Sequence, residues 1–448
     1  MKLKSTYEDF RVEEITSVRP TGGSHALYRL SKAGLGTPEA IAEVLSHWNI
    51  ERRRISYGGL KDRHASTVQH FSIAHGPKTG FTDRSMQVEY LGQIHRPFDA
   101  KDIQANRFEI RLRKIAKKDV EQLDRNADWL KHFGAINYFD DQRFGSIGQS
   151  GELIGMHWCK LNYERALYIA MAEPNPHDRP RESEQKEILR NTWGQWEKCK
   201  EMLDRSHRRS IVTYLLDHPV DFKRALALVR LDLRSIYIAA FQSWIWNRWL
   251  SALIDGFNEQ QTQRRLPSKS GPLSLPQLLT ADQQNRWKSQ WRTTLPLPSA
   301  RQHDWPEGTL ETLESVVAGL GLSVRELRLK FPRDTFFSRG QREVLLFANG
   351  FESTWESTDP NLDLNSESVD WKLAFELPRG AYATMIIRQL FLDSIENASL
   401  ENGPEEGPED NLETGAEDGP EDTAGNPPGN RRENKDEQGH GQDAGGQR

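Results

Sequence analysis

Cysteine is almost missing from this chain: Cys159 and Cys199 are the only two among 448 residues. Two thiols rule out a disulfide framework and any cysteine-rich zinc module, and they fit a reducing compartment. Long apolar runs are missing as well. No stretch approaches the roughly 18 apolar residues of a spanning helix, and the opening MKLKSTYEDF carries lysines without the apolar segment of a secretory leader. A soluble cytoplasmic protein with no membrane partner is expected. Apolar residues are scarce overall, at 36%, but the deficit is concentrated at one end. From Glu396 to Arg448 the chain holds 15 Asp or Glu against 4 Lys or Arg. That balance of −11, within a whole-chain charge of −5, leaves residues 1 to 395 mildly basic at +6. Within this stretch GPEEGPED (403–410) returns as GAEDGPED (415–422) with no apolar face to bury, so residues 396–448 read as a disordered acidic tail.

The body is long enough for two domains with their own cores. FRVEEI (10–15) and HALYRL (25–30) read as short strands. TPEAIAEVLSHW (37–48) places Ile41, Val44, Leu45 and Trp48 at helical spacing, with Thr37 as the expected N-cap and Pro38 at the first helical position. STVQHFSI (66–73) reads as a strand. In RFEIRLRKI (107–115) Phe108, Ile110 and Leu112 share one face while Arg107, Glu109, Arg111 and Arg113 share the other, which predicts a half-buried strand with a mostly cationic outer side. A helix follows over Lys118–Phe133, ended by Gly134. From about residue 150 to 335 the character becomes helical and tryptophan-rich, with a long apolar helix over 229–254 and a loop excursion in RRLPSKSGPLSLPQLL (264–279). Strand-like alternation returns in VDWKLAFELP (369–378). A β-rich region interrupted by a helical block and then resumed predicts an insertion.

Three segments carry candidate chemistry. In SYGGLKDRHASTVQHFSI (56–73) a carboxylate, Asp62, stands between Lys61 and Arg63 just after a Gly-Gly pair. An aspartate is ionised at neutral pH and serves as nucleophile, base or ligand, yet such triplets are commonly solvated turns. If the backbone is extended there, Lys61 and Arg63 point away from the Asp62 side, toward RNA phosphates or a supporting layer. NYFDDQRFG (137–145) combines Asn137 for a base edge, Tyr138 or Phe139 for stacking and Arg143 for a phosphate; its bland reading is a core turn. LPRGAYATMIIRQL (377–390) alone is a turn and a helix start. Arg52, Arg53, Arg54, Arg111 and Arg113 are further candidate phosphate contacts.

Taken together and in order, EDFRVEEI (8–15), YGGLKDRHASTVQ (57–69), NRFEIRLR (106–113), NYFDDQRFG (137–145), AAFQSWIWN (239–247) and LPRGAYATMIIRQL (377–390) resemble the TruD family of tRNA pseudouridine synthases over roughly residues 4 to 392. The resemblance implies a mixed α/β (α+β) pseudouridine synthase fold, with a mainly antiparallel sheet flanked by helices. It implies a catalytic domain built from 1–152 and 336–395, around an inserted, largely helical TRUD domain over 153–335. It implies an enzyme that isomerises a uridine in tRNA, at position 13, to pseudouridine without cofactor or metal. Asp62 takes the place of the catalytic carboxylate, Phe10, Asn137, Phe139 and Tyr382 line the uracil pocket, and Lys4 stands where the family has a basic residue able to pair with that carboxylate. Lys61, Arg63 and Arg143 are the remaining candidates for ion pairing or RNA contact, and a monomer with tRNA as its partner is expected. The chain departs from the family pattern at Asp140, where Gly is usual, and at Lys101 and Ala105, which stand in place of glycines.

The chemistry is physically coherent. A stacked uridine hides its glycosidic carbon, so the nucleotide must be flipped out at a cost of a few kcal/mol; stacking on an aromatic ring returns about 1–3 kcal/mol. Attack of Asp62 on the sugar C1′, attack on the uracil C6, and elimination all stay open. The rival reading is a non-catalytic RNA-binding protein or RNA chaperone that keeps the fold. A metal-dependent enzyme using Asp140 and Asp141 is weaker, because adjacent strand residues face opposite ways.

Overall fold

The computed structural model describes residues 5–176, 178–258, 264–276, 278, 280–357 and 367–392. Its strands are β1 (Phe10–Thr16), β2 (His25–Ala33), β3 (Ile55–Tyr57), β4 (Ser66–Ala74), β5 (Phe81–Thr82), β6 (Met86–Ile94), β7 (Ile103–Ala116), β8 (Ala135–Ile136), β9 (Arg264–Leu266), β10 (Leu273–Leu275), β11 (Thr294–Pro296), β12 (Gln341–Glu343), β13 (Leu345–Leu346), β14 (Asn349–Ser357) and β15 (Ser368–Pro378). The helices that matter most for the site are α1 (Thr37–Trp48) and α2 (Val120–Phe133). A helical block follows: α3 (Ile154–Cys159), α4 (Tyr163–Ala172), α5 (Pro180–Thr192), α6 (Trp196–Met202), α7 (His207–Asp217), α8 (Phe222–Leu228) and α9 (Leu231–Asn258). Later come α10 (Ala281–Trp291), α11 (Leu310–Gly319) and α12 (Ala383–Leu390).

The main sheet runs β14-β15-β7-β1-β4-β2-β6-β5, with β3 added beside β4. Only the β1–β4 pair is parallel; the other ladders of this sheet are antiparallel. The fold is thus the mixed α/β arrangement with a mainly antiparallel sheet that the sequence predicts. Alternation is the cause of β7: Phe108, Ile110 and Leu112 are buried while Arg107 and Glu109 are exposed. Its outer face is less cationic than the sequence suggests. Arg111 pairs with Asp370 at 2.9 Å and Arg113 with Asp9 at 2.6 Å, so two of the expected phosphate contacts are already neutralised. Arg54 likewise donates to the carbonyls of Ala74 and His75. At α1 the N-cap is Gly36 rather than Thr37. The loop expected over 264–279 contains a short antiparallel ribbon, β9 with β10.

Because paired residues on neighbouring strands share a face, the register defines what that face carries. Glu14 of β1 lies opposite Asn106 of β7, and Leu377 of β15 flanks Asn106 on its other side. Val12 pairs with Thr67, which in turn pairs with Lys32 of β2. At one end of this face α1 packs its Ala40, Ile41 and Val44 on Tyr28, Leu30 and Phe71. At the other, Leu123 and Leu130 of α2 and Ile387 and Leu390 of α12 pack on Phe108, Ile110 and Phe375. Between the two apolar packs the face is polar: Lys32, Thr67, Gln69 and Glu14 are each no more than 3% exposed. The helical block has its own core, centred on α9, where Phe241, Ile245, Trp246, Trp249, Leu250 and Ile254 recur at three- and four-residue spacing and are buried. Among the described residues no helix is long and apolar enough to cross a membrane.

Candidate active site

The segment from Gly58 to Ala65 connects β3 to β4 over the polar centre of the sheet. A Cβ at Gly58, at its start, would overlap Ile103 Cδ1 and lie 3.1 Å from the Asp99 carbonyl oxygen, so a larger residue there would make its neighbours shift. Buried polar groups then fix the backbone at 61 and 62. The Lys61 N–H donates to Thr37 Oγ1 at 2.8 Å, and the Thr37 hydroxyl donates to Gln69 Oε1 at 2.8 Å. Lys32 Nζ donates to the carbonyls of Leu35 at 2.5 Å, Asp62 at 3.2 Å and Lys61 at 3.5 Å.

The Lys61 side chain turns inward. Its ammonium lies 2.9 Å from Glu14 Oε1 and donates to Asn106 Oδ1 at 2.9 Å, while Glu14 Oε2 accepts the His70 N–H at 2.7 Å. Burial pushes the Glu14 carboxyl up, but the hydrogen bonds from His70 and the Lys61 charge outweigh it and hold this group below the usual carboxylate range. Arg63 pairs with Glu39 of α1 at 2.8 Å. Both cations beside Asp62 are therefore engaged by carboxylates of the fold, and Asp62 itself is exposed. This alternation gives the Lys61-Asp62-Arg63 triplet its meaning: the outer residues hold the turn and the middle one is exposed. Lys4 lies outside the described residues, as does the tail 396–448.

A second group gathers around Arg342 of β12. Its Nη2 donates to Asn137 Oδ1 at 2.5 Å, its Nε to the Asn137 carbonyl at 3.0 Å, and its Nη1 to the Gly380 carbonyl at 3.0 Å. The guanidinium carbon sits 4.1 Å from the centre of the Phe139 ring and 5.9 Å from that of Tyr382. Asn137 also donates through Nδ2 to the Glu343 carbonyl at 2.9 Å. Phe139, 7% exposed, meets Tyr382 edge to face at 6.4 Å, and Arg143 stands 5.7 Å from its ring centre. Burial pulls the Arg342 guanidinium down to about 10, with Arg143 adding to the effect, and it remains a cation at neutral pH. Burial also raises the Tyr382 phenol.

Asn247 of α9 holds the backbone of Phe139 at both ends: its Oδ1 accepts the Phe139 N–H at 2.8 Å and its Nδ2 donates to the Phe139 carbonyl at 2.9 Å. Asp140, the residue that replaces the usual glycine, is 4% exposed; it accepts from the Thr384 hydroxyl and pairs with Arg388 at 3.0 Å. Its charge is thereby neutralised within the fold. Asp141 pairs with the same arginine at 3.2 Å and accepts from Ser268 at 2.7 Å. No cluster of His, Cys, Asp or Glu able to hold a metal occurs among the described residues.

The structure therefore brings Asn137, Phe139, Tyr382 and Arg143 together around one arginine. Phe10 sits elsewhere, 3% exposed on β1, edge-on to Phe108 at 6.2 Å and part of the core between sheet and helices. The two groups are linked through the sheet. Asn106, which binds Lys61, lies opposite Leu377, five residues before Tyr382 and about 5 Å away across the ladder. Sequence reasoning gave no role to Lys32, Glu14, Asn247 or Arg342. Lys32 had a signal, since it continues the buried alternation of Tyr28 and Leu30 with a charge. Arg342 had none.

The fold, a mainly antiparallel sheet flanked by helices, is also that of a solved protein. The crystal structure of a TruD protein from Methanosarcina mazei superposes with a TM-score of 0.64 at 24% identity, over 87% of this chain and 93% of that one. The family model described as tRNA pseudouridine synthase D (TruD) matches residues 1–390. The chain belongs to the TruD family. Among curated relatives, the Methanocaldococcus jannaschii protein named "Probable tRNA pseudouridine synthase D 2" is 29% identical over 88% of this chain and 92% of its own length. The "tRNA pseudouridine synthase D" of Leptospira interrogans is 27% identical, over 88% of this chain and 96% of its own.

Proposed function

We propose that this protein isomerises a uridine of tRNA, the one at position 13, to pseudouridine, with Asp62 as the carboxylate that acts on a flipped-out nucleotide. Membership of the TruD family supports the reaction class. The single observation that carries the assignment of Asp62 is the clamp around it. Lys32 of β2, Thr37 of α1 and Glu14 of β1 anchor residues 61 and 62 from three elements while the side chain of 62 stays exposed. A rigid frame around one presented group is what positioning for covalent or proton-transfer chemistry requires.

Asn137, Phe139, Tyr382 and Arg143 form the receiving wall for the base, and the Asn106–Leu377 register ties the strand that leads to Tyr382 to the strand whose Asn106 holds Lys61. Phe10, on β1 beside Phe108, is the further residue that lines the uracil pocket in this reading. Residues 1–152 and 336–395 act as the catalytic part and 153–335 as the inserted part that grips the RNA, with 396–448 as a tail. The protein works in the cytoplasm as a monomer, without cofactor or metal. Incubation with unmodified tRNA carrying tritium at uridine C5 tests the reading: tritium is released to water as the new carbon link forms, with EDTA present. Tight binding of tRNA with no release would overturn it in favour of a binding protein.

A further inference from the structure

Arg342 is a half-buried cation without an ion-pair partner among the described residues. Among the described residues no carboxylate oxygen lies within 4 Å of its guanidinium. Its hydrogen bonds to the described residues end on neutral oxygens: the carbonyls of Asn137, Tyr138 and Gly380 and the amide oxygen of Asn137. These engage four of the five N–H groups that a guanidinium carries. One face of the ion rests on Phe139 at 4.1 Å, a favourable cation–π distance. Its neighbours are Arg143, which adds positive potential, with Tyr382 and the more distant Glu343 carboxylate opposing. Partly desolvating a charge without pairing it is costly, and a cation held this way by neutral oxygens is preorganised for negative charge that develops beside it.

We propose that this negative partner is the uracil ring itself, at the moment its bond to the sugar breaks, and that Arg342 stabilises the anionic base while holding Asn137 and Phe139 in place. The inference rests on the pseudouridine-forming reading above. When the C1′–N1 bond breaks, its electron pair stays on the base, and the charge spreads over N1 and the two carbonyl oxygens. Rejoining through C5 forms the C1′–C5 bond with an electron pair of the ring. The C5 proton then leaves to solvent and N1 takes up a proton, so the net change is an isomerisation with no oxidant or reductant. If Asp62 attacks C6 first, the ring again receives the electron pair, on C5 and O4. The requirement for a cation beside the base is therefore common to the routes left open for Asp62. A guanidinium fixed beside the base acts more strongly on that charge than a mobile, fully solvated one could.

The test compares the Arg342→Met and Arg342→Lys variants with the unaltered full-length protein on two tRNAs, one with uridine and one with 5-fluorouridine at the target. Single-turnover loss of the N1-linked nucleoside, that is, breakage of the C1′–N1 bond, is read by nuclease digestion and chromatography with mass spectrometry; on 5-fluorouridine there is no C5 proton to lose, so the rearranged base keeps its fluorine and takes up water at C6. Fluorine at C5 withdraws electrons and makes the detached base a better anion without help. Arg342→Met is expected to lose about 100-fold on uridine and about 10-fold less than that on 5-fluorouridine, with tRNA affinity within about 3-fold of the unaltered protein. Arg342→Lys, which keeps the charge without the fork, falls between the two. Equal losses on the two substrates would reduce Arg342 to a structural role and overturn the proposal. If Arg342→Met fails to fold, Arg342→Lys carries the same comparison with the same two outcomes. The unaltered protein serves as the control for the parent reading: if it turns over neither tRNA, the pseudouridine assignment itself falls.

Discussion

The ammonium of Lys61 lies 2.9 Å from a carboxylate oxygen of Glu14, with side-chain exposures of 10% and 0%. A pair this buried is held by geometry, since removing either partner strands the other charge in the core. The Glu14 carboxylate also accepts a backbone N–H of β4, so one side chain ties the Asp62 loop to two strands at once.

Replacing Glu14 by Ala is accordingly expected to cost about 3–5 kcal/mol of stability. Chemical denaturation with and without the change measures this. A loss below about 1 kcal/mol would mean that Lys61 finds another partner and that the clamp is not structural.

The same pair sets a pH dependence. Glu14 titrates below its ordinary value of 4.5 in the folded protein, despite burial pushing it up, because His70 and Lys61 favour the anion; Asp9 sits below 3.8 in the same manner through Arg113. A folded-state value below the unfolded one means that the stabilisation is complete above the unfolded value and is lost as pH falls through the folded one. Stability should therefore hold from neutrality down to about pH 5 and then drop, more shallowly in Glu14→Gln than in the unaltered protein. Parallel acid curves for the two proteins would remove Glu14 from the explanation.

Asp62→Asn keeps the shape of the loop and removes the charge. Turnover on tRNA should fall by at least about 1,000-fold, while tRNA affinity and thermal midpoint stay near those of the unaltered protein. Retained turnover would move the chemistry to another group.

Asn247→Ala leaves the buried N–H and carbonyl of Phe139 without partners. Each such group costs about 1–3 kcal/mol, so a stability loss of about 2–4 kcal/mol is expected together with a lower kcat, read by calorimetry and by single-turnover assay.

Asp140→Gly restores the residue usual in the family but removes the partner of Thr384 and Arg388. Destabilisation by about 1–3 kcal/mol, without tighter tRNA binding, is the expected result in melting and filter-binding measurements. A clear gain in affinity would show that the Asp140 charge reaches the RNA.

Local patterns determined much of this molecule. Apolar alternation was sufficient to find β1, β4, β7 and β15, and helical spacing to find α1 and α2, because burial on one face repeats every two or every three to four residues whatever the partner is. Six ordered motifs also placed the chain in its family and marked Asp62, Phe10, Asn137, Phe139 and Tyr382 as a group. What the pattern of single residues does not carry is the identity of a distant polar partner. Lys61 and Arg63 look free in the sequence, yet they pair with Glu14 and Glu39. Asp140 looks like charge facing RNA but is neutralised by Arg388, 248 residues later. Arg342 meets Asn137 across 205 residues, with nothing near it in the chain to announce the contact. Tertiary structure decided these, since a buried ion is tolerated only where strand register and helix packing bring a matching atom to it.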